Sequence, residues 1–262
     1  MVNIGMIKIG VAQIKNSIDL GENFKNIKKC LDIFKASDAD LILFPECALS
    51  GFSAKIGECT LDLISPYLDE IKNWSIENKK MVILPTALNE ENIYNTGFVF
   101  QENQVERFYK IGLTESEKKF FSVPDNYNKK VYKLKGYKFI PLICLEAQLD
   151  SELYFSHGEV DFILWPGYWG WEEKDKWEAL KTDGEENLVY ANSSKWSVPL
   201  IQSNFAYNDL GDGREKGPHG LSIVVDGKNK LAYRASFEQQ ECFLVELNKA
   251  EINRCYSLGS FE

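Results

Sequence analysis

The chain predicts an α/β fold with a mixed sheet, or two sheets with helices outside. Three observations carry that expectation. Short, continuous apolar runs such as Leu41-Ile42-Leu43-Phe44 and Phe162-Ile163-Leu164-Trp165 suit strands covered on both faces. Phe24, Ile27, Leu31 and Phe34 recur at helical spacing between two such runs. Hairpin signals then interleave with further strands from residue 93 onward. At 262 residues and 44% hydrophobic, the chain can bury a large core. No repeat, low-complexity tract or linker rich in Pro, Gly or Ser divides it, so a single domain over residues 1–262 is expected.

Taken in order, residues 7–14 read as a first strand, apolar and β-branched, and residues 21–36 as an amphipathic helix. Residues 41–44 follow as a strand. Ser65-Pro66 reads as a helix start, with Ser as N-cap and Pro in the first turn; Leu68, Ile71 and Trp74 continue its buried stripe. Residues 81–84 form another strand. Phe98-Val99-Phe100 and residues 105–110 read as a hairpin around a short polar turn. Residues 131–134, 139–143 and 162–165 are strands, the last running into Pro166-Gly167. Residues 172–197 are helical in composition, with a break at Gly184. Residues 199–203 form a strand, residues 221–225 and 231–234 a hairpin around Asp226-Gly227, and residues 242–245 close the series.

The totals exclude several function classes. A net charge of −9 and a pI near 5.0 argue against a nucleic-acid partner. The six cysteines form no C-x-x-C or His/Cys cluster, so no metal site is expected. His157 and His219 stand apart from the candidate chemistry in sequence. The first residues lack a signal peptide's basic start and apolar core, and no apolar run approaches the ~18 residues a membrane helix needs. The expectation is a cytoplasmic protein with reduced thiols and no membrane partner.

Three runs end on reactive groups. The run 40–45 stops at Glu46, 105–109 at Lys110, and 136–143 at Cys144. If these ends converge, they join a carboxylate, an ammonium and a thiol. A buried Glu46 would have a raised pKa and take the thiol proton. Lys110 would favour the Cys144 thiolate and, with the backbone N–H of Leu145, stabilise an oxyanion. That set suits acyl transfer from an amide-like carbon through a thioester. Each residue alone has a bland alternative: a small core thiol, a turn carboxylate, a solvated lysine.

The neighbouring residues make the combination specific. Leu43-Phe44-Pro45-Glu46-Cys47-Ala48-Leu49-Ser50-Gly51-Phe52, Tyr109-Lys110-Ile111-Gly112-Leu113-Thr114 and Leu142-Ile143-Cys144-Leu145-Glu146 resemble the glutamate, lysine and cysteine motifs of the nitrilase superfamily, the carbon–nitrogen hydrolases. Tyr94-Asn95-Thr96-Gly97-Phe98-Val99-Phe100 is similar to that family's strand leading to the lysine. The resemblance runs from residue 9 to the terminal strands. It implies a four-layer αββα sandwich of two mixed β-sheets flanked by helices. It implies Glu46 as general base, Lys110 as oxyanion stabiliser, Cys144 as nucleophile and Glu117 as a supporting acid, with Glu115 a rival for that last role. It also implies a homodimer or higher homo-oligomer, and neither metal nor organic cofactor.

The sequence departs from the family pattern in places. Gly112 stands where many members carry His, and Gln148 falls where many carry Arg. Tyr94, Glu146, Gln148, Tyr168 and Trp169 are the expected pocket residues, and Trp165 and Trp171 join the last two in an aromatic cluster. The reaction expected is hydrolysis of a small amide or N-carbamoyl compound. The alternatives are a nitrilase using the same triad and a non-catalytic binding protein that keeps the fold. An acyltransferase of the membrane-bound kind, which needs membrane helices, and a synthetase-linked glutaminase, which needs an appended ATP-using domain, are not expected.

Overall fold

A computed structural model describes residues 5–149, 153–156, 158–169, 196–210, 217–228 and 230–262. The elements in order are β1 (Ile7–Ser17), α1 (Leu20–Lys35), β2 (Leu41–Leu43), α2 (Leu61–Asn78), β3 (Met81–Asn89), β4 (Ile93–Gln101), β5 (Gln104–Tyr109) and β6 (Tyr132–Leu134). There follow β7 (Tyr137–Pro141), β8 (Phe162–Pro166), β9 (Leu200–Ser203), β10 (Phe205–Asp209), β11 (Gly217–Pro218), β12 (Ile223–Val225), β13 (Leu231–Arg234), β14 (Gln240–Asn248) and β15 (Glu251–Phe261).

These strands form two mixed sheets. One runs β11-β10-β1-β2-β3-β4-β5, with β14 also pairing β1, and β15 pairing β14. The other runs β13-β12-β9-β8-β7-β6. Parallel strands lie centrally in both: β1, β2 and β3 in the first, β7, β8 and β9 in the second. The sheets face each other across a core in which Ile9, Val11, Leu43, Ile83 and Phe108 join Phe139, Phe162, Leu164 and Ile201. On the first sheet's other face, Ile27, Phe34, Leu68 and Ile71 of α1 and α2 bury Ile42, Val82, Leu84 and Phe98. A third cluster, with Ile140, Ile163, Trp165 and Leu200, covers the second sheet's outer face. The expected sandwich of two mixed sheets is therefore present. Both long helices among the described residues pack on the first sheet. Of the helical reading over 172–197, residues 172–195 lie outside the described residues, as do Trp171 and His157. No described helix is long and apolar enough to cross a membrane.

The structure corrects three local readings. Helix α2 starts at Leu61, where the Thr60 side chain accepts from Leu63 N–H, and not at Ser65-Pro66. Pro66 lies inside the helix. The carbonyl of Asp62, which the missing proline N–H would have served, accepts instead from the Ser65 hydroxyl at 3.3 Å. The strand expected over 139–143 ends at Pro141, so Cys144 opens a separate 3-10 turn. Strands β10, β11 and β15 had no counterpart in the sequence reading. In β15, Glu251, Arg254 and Gly259 interrupt the apolar alternation of a half-exposed strand.

One glycine matters to the site. A Cβ on Gly97 in β4 would lie 2.0 Å from Cζ of Phe108 in β5, so the ring lies flat across the backbone of its neighbour. Phe108 is fully buried between the sheets, and Lys110 leaves β5 on the same face two residues later. Gly97→Ala should therefore displace the ring and cost about 1–3 kcal/mol, as overpacking does. Urea denaturation reads this; an unchanged midpoint would show that the ring relocates freely.

Candidate active site

The site gathers beyond the ends of β2, β5, β7 and β8. Lys110 follows β5 directly, and its amide donates to the Asn95 carbonyl at 2.8 Å, prolonging the β4 pairing by one step. Its side chain has no exposure. Its Nζ lies 2.8 Å from Glu46 Oε1 and 2.6 Å from Glu117 Oε1. Glu46 Oε1 also accepts from Asn95 Nδ2 at 2.7 Å, whereas Oε2 is buried without a hydrogen-bond partner among the described residues. Glu117 opens a short 3-10 turn and is fixed at its other oxygen by Thr114 N–H at 2.8 Å. A lysine held by two carboxylates is thus enclosed between the sheets.

Cys144 adopts φ 49°, in the left-handed region that non-glycine residues seldom occupy. The sharp bend turns the chain out of the second sheet into the 3-10 turn spanning Cys144–Gln148. The Cys144 carbonyl is pinned by Trp165 Nε1 at 2.8 Å, and its thiol faces the Tyr168 carbonyl at 3.8 Å. Leu145 takes the second position of this turn, where an amide has no acceptor within the turn.

Burial and charge set the protonation states. Burial raises the Glu46 pKa; Lys110 opposes this and Glu117 adds to it. For Lys110, burial works against the ammonium, but Glu46, Cys144 and Glu117 together outweigh it and hold its pKa well above the ordinary lysine value. Burial, with Glu46 adding, pushes the Cys144 thiol up to about 12, against the pull of Lys110. Lys110 favours the thiolate as expected, but burial and Glu46 outweigh it. At neutral pH the sulfur is protonated and needs a base at the moment of attack.

The structure brings Glu46, Lys110, Glu117 and Cys144 into one electrostatic unit. Tyr168 joins it through its carbonyl. The Tyr168 ring stacks on Phe52 at 4.7 Å, beside Phe120 and Phe121, and its hydroxyl meets Asn208 Nδ2 at 2.7 Å. Trp169 packs against Trp165 and is held at both backbone groups by Asn204. Gln148 closes the 3-10 turn with Nε2 buried and without a partner among the described residues.

Two of the expected pocket residues are engaged by the protein itself. Tyr94 lies on the opposite face of β4 from Asn95, because successive strand residues alternate; its ring packs edge-on against Tyr109 at 5.5 Å. Glu146 offers no free charge to a ligand, because both its oxygens are occupied by protein donors, including Lys129 Nζ at 2.5 Å.

Other residues of the site escaped the sequence reading. Asn95 carried a usable signal, as a polar residue on the inward face of a strand that also presents Gly97 and Val99. Phe52 belonged to a recognised motif but had no assigned role. His219, distant in sequence, is buried with its ring 5.1 Å from that of Tyr168. Lys129 had no signal at all.

A sequence profile described as carbon-nitrogen hydrolase matches residues 8–192. The chain belongs to the carbon–nitrogen hydrolase family. Among solved structures, this carbon–nitrogen hydrolase family member is similar to the amidase from Nesterenkonia sp. AN1. A cysteine-to-alanine variant of that amidase in complex with butyramide shares 17% identity over 92% of this chain and 91% of that one, with a TM-score of 0.77. A second variant, showing covalent addition of the acetamide moiety of fluoroacetamide at the active-site cysteine, gives 17% identity, 93% and 91% coverage, and a TM-score of 0.75. The glutamine-dependent NAD+ synthetase from Acinetobacter baumannii gives 19% identity and a TM-score of 0.74, with 94% of this chain covering 46% of that one. At these identities the likeness is one of fold. No curated protein matches the chain in sequence.

Proposed function

We propose that the protein hydrolyses the carbon–nitrogen bond of a small amide, the whole chain acting as one domain, with Cys144 as nucleophile, Glu46 as general base and acid, and Lys110 as oxyanion stabiliser. The observation that carries this reading is the buried Glu46–Lys110–Glu117 chain beside a protonated thiol. Glu46 Oε2 is the base atom, since Oε1 is held by Asn95 and Lys110. As it takes the thiol proton, sulfur bonds to the carbonyl carbon and the carbonyl π electrons move to oxygen. The negative charge lost at Glu46 reappears on that oxygen, so the buried site keeps a constant net charge. An ammonium has three N–H donors, of which Lys110 gives two to carboxylates; the third, with Leu145 N–H, holds the oxyanion. Collapse breaks the C–N bond as Glu46 protonates the leaving nitrogen. Water, deprotonated by Glu46, then attacks the thioester and releases acid and thiol. Glu117 keeps Lys110 charged throughout.

The Nesterenkonia amidase named above, one variant bound to butyramide and another carrying the acetamide moiety of fluoroacetamide at its active-site cysteine, favours an amide over other acyl donors. The aromatic wall of Phe52, Phe120, Phe121 and Tyr168 suits an apolar acyl group. Fluoroacetamide should add one acetamide group to the protein, located on Cys144 by peptide mapping. A panel of aliphatic amides, N-carbamoyl amines and nitriles, assayed by ammonia release, should respond first with the amides. Turnover confined to nitriles would move the assignment to a nitrilase. An unlabelled Cys144 and a silent panel would leave a binding protein.

A further inference from the structure

Glu146 and Lys129 form an ion pair next to the reactive groups but separate from them. Neither side chain has any exposure, and Nζ lies 2.5 Å from Oε2. Taking two charges out of water costs several kcal/mol per ion after relaxation, so such a pair is weak evidence for stability alone. The other bonds of the carboxylate point to a different role. Oε1 accepts from Ile111 N–H at 2.7 Å and from Gly112 N–H at 3.2 Å. Oε2 accepts from Ile143 N–H at 2.7 Å. Ile111 and Gly112 directly follow Lys110, and Ile143 directly precedes Cys144. One carboxylate therefore ties the backbone that carries the ammonium to the backbone that carries the thiol.

The two segments are pressed together at this point. A Cβ on Gly112 would lie 2.8 Å from Leu149 Cδ1, 2.9 Å from the Tyr154 hydroxyl and 3.0 Å from Glu146 Cγ. Lys129 arrives from a third segment, between β5 and β6, with its ammonium 5.6 Å from the Phe108 ring centroid. It supplies the counter-charge that lets a carboxylate sit in this dry seam. Burial lowers the Lys129 pKa and Glu146 acts against that shift, as expected when an ammonium is kept in place by its partner.

We propose that Glu146 and Lys129 are a positioning pair that holds Lys110 and Cys144 in register for the reaction described above; the inference rests on that reading. Neither residue touches the reacting atoms. Lys129→Met removes the ammonium while keeping a long unbranched stem, and leaves Glu146 its three N–H donors. On the amide that the parent turns over, kcat should fall by about 10- to 100-fold with KM little changed, because a displacement of about 1 Å at the reacting groups has this effect. Glu146→Asp, which keeps the charge on a shorter stem, should lie between the two. A merely stabilising pair would lower the thermal midpoint and leave kcat per folded molecule intact; that result, or a rise in KM alone, overturns the proposal. Should Lys129→Met fail to fold, the double variant Glu146→Gln, Lys129→Met leaves no unpaired buried charge and is read in the same way. An active parent with an equally active Lys129→Met removes this inference alone. A parent that neither turns over an amide nor takes the fluoroacetamide label removes the catalytic reading as well.

Discussion

Alanine at Cys144 should give a folded protein whose turnover falls by roughly 10⁵-fold or more, the scale on which loss of a covalent nucleophile acts in hydrolases. Glu46, Lys110 and Leu145 can still receive a substrate carbonyl, but no atom remains to form the acyl intermediate. Water cannot replace the sulfur efficiently, because it is not held in place against the carbonyl carbon. The fold should survive. Alanine pays the same backbone cost as cysteine in the left-handed region, and the lost Sγ contact to the Tyr168 carbonyl is long, at 3.8 Å. A change in stability of no more than about 1 kcal/mol is expected. Ammonia release and urea denaturation on the same preparation check both halves. Turnover persisting in this variant would end the thioester mechanism.

Glutamine at Glu46 should lower kcat by about 10²- to 10⁴-fold, the usual contribution of a positioned general base, while leaving the thiol open to alkylation. The substitution is close to isosteric. Its carbonyl oxygen can accept from Asn95 Nδ2 and Lys110 Nζ as Oε1 does now. It also removes a negative charge that raises the Cys144 pKa while sparing the ammonium that lowers it, so labelling by fluoroacetamide should persist, at a rate below the parent's for want of the base. The pH profile gives a second readout. Because burial raises the Glu46 pKa, kcat/KM of the parent should fall on the acid side at a pH above the ordinary carboxylate range, and the glutamine variant should lose that limb. Lys110, held well above the ordinary lysine value, should give no alkaline limb below that range. Stability follows the same sign. A carboxyl whose folded pKa is raised contributes stability that is complete below its unfolded pKa and is lost as pH rises through the folded one. The thermal midpoint of Glu46→Gln minus that of the parent should therefore increase between acid and neutral pH. A profile unaltered by the substitution would assign the base to another group.

How much of this was legible in the sequence depended on whether the cue was local. Glu46, Lys110 and Cys144 each end or follow an apolar run and sit in recognisable neighbourhoods, so their convergence was readable without coordinates. Asn95 was readable in principle, since an inward polar residue on a buried strand demands a partner. The α2 start was misplaced because Ser65-Pro66 and Thr60 both offer capping chemistry, and composition alone does not rank them. Strand β15 was lost because charge and glycine break its alternation. The Glu146–Lys129 pair spans a loop that has no periodicity, so only the fold brings its ends together. How far the thiol pKa rises was not legible, because burial, a property of the whole molecule, outweighs the one nearby cation.

Strand β1 lies between β2 and β14, with residues 7–13 registered against residues 241–247. A ribosome adding about 5–20 residues per second would take on the order of tens of seconds to supply that second neighbour. Throughout that interval the nascent polypeptide carries an apolar strand with one bare edge, the kind of surface that recruits stray chains. Pairing of β1 along this edge must therefore wait until residues 241–247 have been made.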